Sequence, residues 1–154
     1  MLLLARKNST SSDPLATALL AAELGEAYDT ARLPSEALRE LFSAVARLHV
    51  SVPYATLRLL SRLANDGRAD VRARAARALG TFVESHPERV EELLLVLACD
   101  ASRRVRAAAA ESLADLIPRS NDPWELIEHW STHPDRAREV LEAARRSLPP
   151  PLGG

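Results

Sequence analysis

Two histidines of this chain, His129 and His133, lie four residues apart, a spacing that presents two imidazoles to one metal ion when a single helix carries both. Pro134 follows directly, and proline is typical of a helix start rather than a helix interior. The sequence contains no HExxH motif. We therefore interpret the two residues as capping and loop histidines and predict no metal site.

Cys99 is the only cysteine, which excludes an internal disulfide framework and cannot by itself build a metal site. It follows Leu97 and Ala98 near a predicted helix end, and no base lies beside it in the sequence. We predict a small buried hydrophobic side chain rather than a nucleophile. No Gly-rich phosphate loop, GxSxG motif or paired carboxylates appear, so we expect no enzyme activity and no cofactor.

Arginines could bind nucleic acid, and residues 53–82 carry a net charge of +4. The arginines of that stretch are Arg58, Arg62, Arg68, Arg72, Arg74 and Arg77. Residues 83–101 carry −4, and the whole chain carries −1. Sustained phosphate binding needs a continuous basic face, which this alternation of charge does not favour.

The elements that position these residues are predicted to be helices. Of the 154 residues, 47% are apolar but only 4% aromatic, and five glycines are too few for many tight β-hairpins. Prolines punctuate the chain at helix starts, with Asp13 and Asp122 as predicted N-caps. The apolar spacing predicts eight helices, near 14–27, 34–48, 53–65, 69–84, 87–99, 102–117, 123–131 and 135–148.

These predicted helices repeat with a period of 34 residues. The shift places Pro53 on Pro87 and Asp66 on Asp100, and it carries Val71-Arg72 onto Val105-Arg106. The outer segments follow the same apolar register more loosely, as terminal repeats usually do. Four helix pairs account for the pattern.

The residues of the central pairs identify the type of repeat. Tetratricopeptide and ankyrin signatures are missing. Asp70-Val71-Arg72 with Ala75-Ala76 and Leu79-Gly80, echoed by Val105-Arg106 with Ala109-Ala110 and Leu113, resembles the second helix of bacterial HEAT-like repeats. The resemblance implies an all-α, right-handed α-solenoid of about four HEAT-like helical hairpins over residues 14–148. An extension at 1–13 and a Pro/Gly-rich tail at 149–154 lie outside it.

The same resemblance implies a structural role for Arg72 and Arg106. In HEAT-like repeats an arginine at this position typically pairs with an acidic residue near the helix start of an adjoining repeat. The nearest acidic candidates are Asp66, Asp70 and Asp100. We expect these five residues to order neighbouring repeats rather than to bind a ligand.

The inner face of the solenoid is the predicted partner-binding surface. The helical wheel places four small residues there, Ala73, Gly80, Ala107 and Ala114, over which a partner could approach the helices closely. The predicted partner-binding charges on this face are Arg77, Glu84, Glu111, Glu142 and Arg146. Their mixed signs suit a protein or peptide better than a polyanion.

We therefore predict a scaffold or adaptor, acting alone or as a subunit of a larger complex. The alternative is a nucleic-acid-binding protein related to bacterial DNA glycosylases for alkylated bases, for which Trp124 and Trp130 would supply aromatic contacts. We interpret both tryptophans instead as burying the last hairpin. A bilin-lyase-like activity ranks third. The short apolar start is followed by Arg6-Lys7 and no run approaches a membrane span, so we expect a cytoplasmic protein without membrane contact.

Overall fold

The computed structural model describes residues 17–18, 30–31, 33–48, 50–132, 142 and 146, and the structural statements below concern these residues. They form six helices of α type longer than two residues, α1 Ser35–Leu48, α2 Pro53–Leu63, α3 Ala69–Leu79, α4 Pro87–Leu97, α5 Arg103–Ala114 and α6 Pro123–Ser131. No strand occurs among them, which confirms the all-α prediction.

Proline and aspartate set the helix starts as predicted. Pro53, Pro87 and Pro123 each occupy the first turn of a helix, where the missing N–H removes no helical hydrogen bond. The Asp122 side chain caps α6 by accepting a hydrogen bond of 3.0 Å from the backbone N–H of Glu125. The predicted cap Asp13 lies outside the described residues.

α3 and α5, the second helices of their hairpins, end earlier than predicted because their last turns tighten. α3 ends at Leu79 and continues as a 3₁₀ turn, Gly80–Phe82, instead of reaching residue 84. α5 ends at Ala114 and is followed by the 3₁₀ turn Ile117–Arg119. Tightening to 3₁₀ geometry is a common way to close a helix end.

α3 is the central helix of the fold and packs against α1, α2, α4 and α5. Val71, Ala75, Leu79 and Phe82 are fully buried and Ala78 is half-buried, and together they form an apolar stripe. Alanine in this stripe lets the neighbouring helices approach closely. The two complete hairpins are α2 with α3 and α4 with α5, an arrangement consistent with a HEAT-type α-solenoid.

The outer repeats are described in part. α1 stands for the first hairpin and α6 for the last, and their predicted partners near 14–27 and 135–148 lie outside the described residues, apart from four helical positions. The right-handed sense of the solenoid and the domain boundaries remain predictions. No helix in the described ranges is long and apolar enough to cross a membrane.

The two tryptophans of α6 differ. Trp130 is 1% exposed, and its Nε1–H donates a hydrogen bond of 3.0 Å to Oε1 of Glu91 in α4, which joins two hairpins. Trp124 is 42% exposed, so the prediction that both tryptophans are buried is wrong for this one. A spacing of six residues puts the two side chains on different sides of a helix.

The predicted burial of Cys99 is also wrong, because its side chain is exposed. Leu97 and Ala98 occupy the buried positions at the end of α4, at 3% and 2% exposure. Cys99 lies one residue further, in the turn that leads to α5.

Candidate partner-binding surface

The loops between paired helices hold the predicted structural residues. The Arg72 guanidinium donates to both carboxylate oxygens of Asp100, from Nε to Oδ2 at 2.8 Å and from Nη2 to Oδ1 at 3.0 Å. This bidentate pair links α3 to the loop of the following hairpin, and its side chains are only 19% and 12% exposed. The Arg72 hydrogen bonds hold the pKa of Asp100 below its ordinary value of 3.8, against the opposing effect of burial.

Both central loops share a hydrogen-bonding pattern that recurs after 34 residues. Asp66 and Asp100 each accept a hydrogen bond of 2.8 Å at Oδ1 from the backbone N–H two residues later. Arg72 and Arg106 each donate from Nη1 to the carbonyl oxygen of the aspartate six residues earlier, at 2.9 and 2.8 Å. Arg106 also donates to the carbonyl of Ala101 at 3.1 Å. Each arginine therefore anchors the loop of its own hairpin.

The remaining structural candidate, Asp70, pairs within its own loop. Arg68 donates to both of its carboxylate oxygens at 2.7 and 3.0 Å, and these hydrogen bonds lower the pKa of Asp70. Arg68 Nη1 also donates to the carbonyls of Thr30 and Leu33, and the Thr30 hydroxyl donates to Asp66 Oδ2 at 2.6 Å. The loop before α3 thus holds the segment that precedes α1. Sequence reasoning did not identify Arg68 or Thr30, because neither position repeats.

The second helices α1, α3 and α5, with the turns that follow them, each expose one face, and we name the residues of these faces the inner surface. It comprises Glu36, Arg39, Glu40, Ser43 and Arg47 on α1, Asp70, Arg74 and Arg77 on α3 with Thr81 in the turn that follows, and Arg104, Ala107 and Glu111 on α5 with Asp115 directly after it. Arg77 and Glu111 are exposed at positions related by the repeat. Glu84, Glu142 and Arg146 are exposed as well, the first in the turn before α4 and the others at isolated helical positions.

Two of the small residues predicted for this surface are not available to a partner. Ala73 is fully buried, and a Cβ on Gly80 would lie 3.2 Å from Ser112 Oγ. Ser112 in α5 is itself buried and donates a hydrogen bond of 2.8 Å to the carbonyl of Ala76. The small side chains of α3 thus serve close packing against α5. Ala107 is exposed and Ala114 half-buried, so the small-residue groove is wrong for α3 but not for Ala107.

Sequence reasoning also missed inner-surface residues of α3 and α5, namely Arg74, Arg104 and Asp115. The helical wheel centres the predicted inner face of α3 on its small residues, which the structure instead packs against α5. The signal was present, since Ala73, Ala76 and Gly80 follow the three- and four-residue spacing typical of helix–helix contacts. Arg74 and Arg77, which directly follow Ala73 and Ala76 in the sequence, mark the exposed face.

A shallow open pocket lies at the start of α6. It is lined by Ser120, Asn121, Asp122, Glu125, Leu126 and His129. Asp122 already caps the helix there. No group of three or more His, Cys, Asp or Glu side chains suited to a metal ion occurs in the described ranges, and His133 lies outside them.

Comparison with known proteins gives one match. A family model of HEAT repeats matches residues 56–149, which is more than half of the chain. The match begins in the first turn of α2 and covers the rest of that helix and all of α3, α4, α5 and α6. Searches of the curated proteins and of the solved structures each found no match.

Proposed function

The chain belongs to the HEAT-repeat family, and from that premise we propose that it is an adaptor that binds a protein partner through its inner surface. HEAT repeats commonly mediate protein–protein interaction, and the family is generally non-catalytic. The adaptor could act alone or as one subunit of a larger complex. We propose the cytoplasm as its compartment, because the single exposed thiol of Cys99 suits a reducing environment.

The observation that carries this proposal is the mixed charge of the inner surface. Arg77 of α3 and Glu111 of α5 are both exposed and occupy equivalent positions of successive repeats. Neighbouring charges of opposite sign select a partner by complementarity and penalise mismatched partners. We include Glu84, Glu142 and Arg146 in the proposed binding set because each is exposed.

The nucleic-acid alternative gains less support. Two arginines of the basic stretch, Arg68 and Arg72, are engaged by Asp70 and Asp100 in the loops. Arg58 and Arg62 lie on the exposed side of α2, the first helix of its hairpin, and not on the inner surface. The basic stretch is thereby divided between loops and two faces, whereas a phosphate backbone is best followed by one continuous stripe.

Affinity capture from the native cell tests the proposal. The double variant Arg77→Glu with Glu111→Lys is expected to lose specifically captured proteins while keeping the wild-type melting temperature, because both side chains are exposed. The matched control, Arg62→Glu with Glu88→Lys, makes the same charge changes on the outer helices. Identical capture by the inner-surface variant and the wild type would refute the proposal.

A further inference from the structure

Arg74 on α3 contains a buried donor without an acceptor. Its Nε is enclosed and has no hydrogen-bond partner among the described residues, although the residue as a whole keeps some exposure. An arginine cannot shed its charge at any ordinary pH, so it cannot relieve this deficit by deprotonation. Such a group costs stability in the free protein. An incoming acceptor would meet only the part of the Arg74 side chain that keeps exposure.

The repeat explains how Arg74 became enclosed. The equivalent residue of α5 is Ala108, which is 1% exposed and lies one turn before Ser112, the residue that contacts α3. By the same geometry Arg74 occupies the edge of α3 that packs on α1. A long side chain therefore stands at a helix–helix position that an alanine fills in the next repeat.

Further arginines lie beside this position on the inner surface. Arg77 is one turn along α3, and Arg39 and Arg47 are on α1. All three are exposed, and the structure shows no hydrogen bond or ion pair of their side chains within the described residues. Arg39 is equivalent to Ala73, on the edge of α1 that faces α3. We name Arg39, Arg47, Arg74 and Arg77 the arginine cluster.

The acidic groups nearby do not neutralise the cluster. Asp70 on the inner surface of α3 accepts hydrogen bonds from Nε and Nη2 of Arg68. Glu40 is equivalent to Arg74, so it lies on the edge of α1 opposite to the one that faces α3. Glu36 lies at the start of α1. The inner surface along α1 and α3, which we name the groove, therefore carries four arginines against Glu36, Glu40 and an Asp70 already paired with Arg68, and its net charge is positive.

We propose that this groove binds an acidic segment of the protein partner, whose carboxylates accept hydrogen bonds from the arginine cluster. The assignment rests on the proposed function and names the chemistry of the partner. Carboxylates match the planar guanidinium fork in two-pronged geometry, and the exposed side chains of Arg39, Arg47 and Arg77 can be approached in this way.

A short acidic peptide fits the groove better than a nucleic acid does. Glu111 and Asp115 are exposed on the inner surface of α5, directly beyond α3. Glu36 and Glu40 lie on α1, at the other side of the cluster. A continuous phosphate backbone would have to pass these carboxylates, whereas an acidic segment of a few residues ends before it reaches them.

The test measures binding of a fluorescent peptide of alternating glutamate and serine to the full chain by anisotropy at low salt. Binding of two other probes is measured for comparison: a peptide of the same length with alternating lysine and serine, and a short DNA duplex. The wild type is expected to bind the acidic peptide, and Arg77→Glu to bind it at least about tenfold more weakly. Arg62→Glu, which makes the same change on the exposed face of α2, is the control and should stay within about twofold.

Arg74→Leu separates binding from packing. Because the substitution removes an unpaired buried donor, we expect a melting temperature equal to or above that of the wild type, together with about tenfold weaker peptide binding. A lowered melting temperature with unchanged peptide affinity would assign Arg74 to the packing of α3 on α1 and overturn the proposal.

Two other results would overturn it. One is the absence of acidic-peptide binding by the wild type, and the other is tighter binding of the DNA duplex than of the peptide. The proposed adaptor function would survive the first result if the inner-surface variant still changed the captured proteins. The adaptor function would fail, and the acidic-peptide site would stand, if the wild type bound the peptide through the cluster while the inner-surface variant captured the same proteins as the wild type.

Discussion

The two complete hairpins, α2 with α3 and α4 with α5, agree in their loops and differ on their surfaces. In both loops an aspartate accepts a backbone N–H two residues later, and an arginine binds the carbonyl of that aspartate. These hydrogen bonds fix how each hairpin closes. They account for the recurrence of aspartate and arginine in the sequence, because an apolar substitution of either would leave a loop donor or acceptor unpaired.

The exposed faces of α2 and α4, the first helices of the two hairpins, are not preserved by the repeat. The 34-residue shift carries Arg58 and Arg62 of α2 onto Glu92 and Val96 of α4, and all four are exposed. Solvated positions tolerate a reversal of charge because high dielectric screens their interactions. The repeat thus preserves what closes the hairpins and leaves the surface free to diverge.

The hairpins also differ in what binds the loop carboxylate. Asp66 Oδ2 accepts the Thr30 hydroxyl, a neutral donor, whereas Asp100 accepts both prongs of the Arg72 guanidinium. A charge-assisted bidentate pair is stronger than a neutral hydrogen bond, and its loss strands a charge. The following predictions use this difference, from the largest expected effect to the smallest.

Asp100→Ala is expected to lower the free energy of unfolding by about 3 kcal/mol, because it removes three hydrogen bonds and leaves the half-buried Arg72 charge unpaired. Asp66→Ala is expected to cost about 1 kcal/mol, since the Thr30 hydroxyl is neutral. Urea unfolding followed by circular dichroism measures both. Equal losses would mean that the two carboxylates contribute alike despite their different partners.

Acidification should expose the same difference with a smaller effect. Arg72 holds the folded-state pKa of Asp100 below 3.8, so the unfolded chain binds more protons in this range. The stabilisation is complete above the unfolded pKa and is lost as the pH falls through the folded one. Urea unfolding at a series of pH values should therefore show declining stability below about pH 4.

A matched pair of variants assigns this pH dependence. Arg72→Ala should flatten the acid limb of the stability profile, because Asp100 then loses its charged partner. Arg89→Ala breaks only the exposed pair with Glu92 and should leave the limb unchanged. An acid limb that persists in Arg72→Ala would attribute it to other carboxylates, such as Asp70.

The sequence predicts the helices and the closed loops because residues close together in the chain determine them. Pro53 and Asp122 mark helix starts by their own geometry, and Arg72 and Asp100 recur with the repeat. Cys99, at the edge of a helix end, was misplaced because one residue of register decides burial there. Apolar spacing indicates that a helix has a packed face, but not which of its edges meets the next repeat.

The inner surface depends on that missing information. Ala73 and Arg74 are adjacent in the sequence, yet Ala73 is fully buried and Arg74 only partly so. Which of them a partner meets depends on the position of α5 relative to α3. Long-range contacts such as Ser112 Oγ to the Ala76 carbonyl fix that position. The proposed partner would be selected by exposed charges that the repeat does not conserve.

The smallest expected effect concerns this contact between α3 and α5. Gly80 has ordinary helical φ and ψ angles of −56° and −27°, so alanine would suit its backbone and would stabilise by about 1 kcal/mol if space allowed. The added Cβ would lie 3.2 Å from Ser112 Oγ, which is held by the Ala76 carbonyl. Gly80→Ala should therefore bring no gain in the wild type but a gain in a Ser112→Ala background, where the tight contact is absent.

A double-mutant cycle measured by thermal and urea unfolding isolates this coupling, with an expected interaction energy of about 1 kcal/mol. The chain provides its own precedent. The repeat-equivalent residues are Ala114 in place of Gly80 and Ala78 in place of Ser112, so a glycine and a serine occur together only at the α3–α5 contact among these positions. Additive effects of the two substitutions would show that Ser112 shifts freely, and that Gly80 is not required for the close approach of α3 and α5.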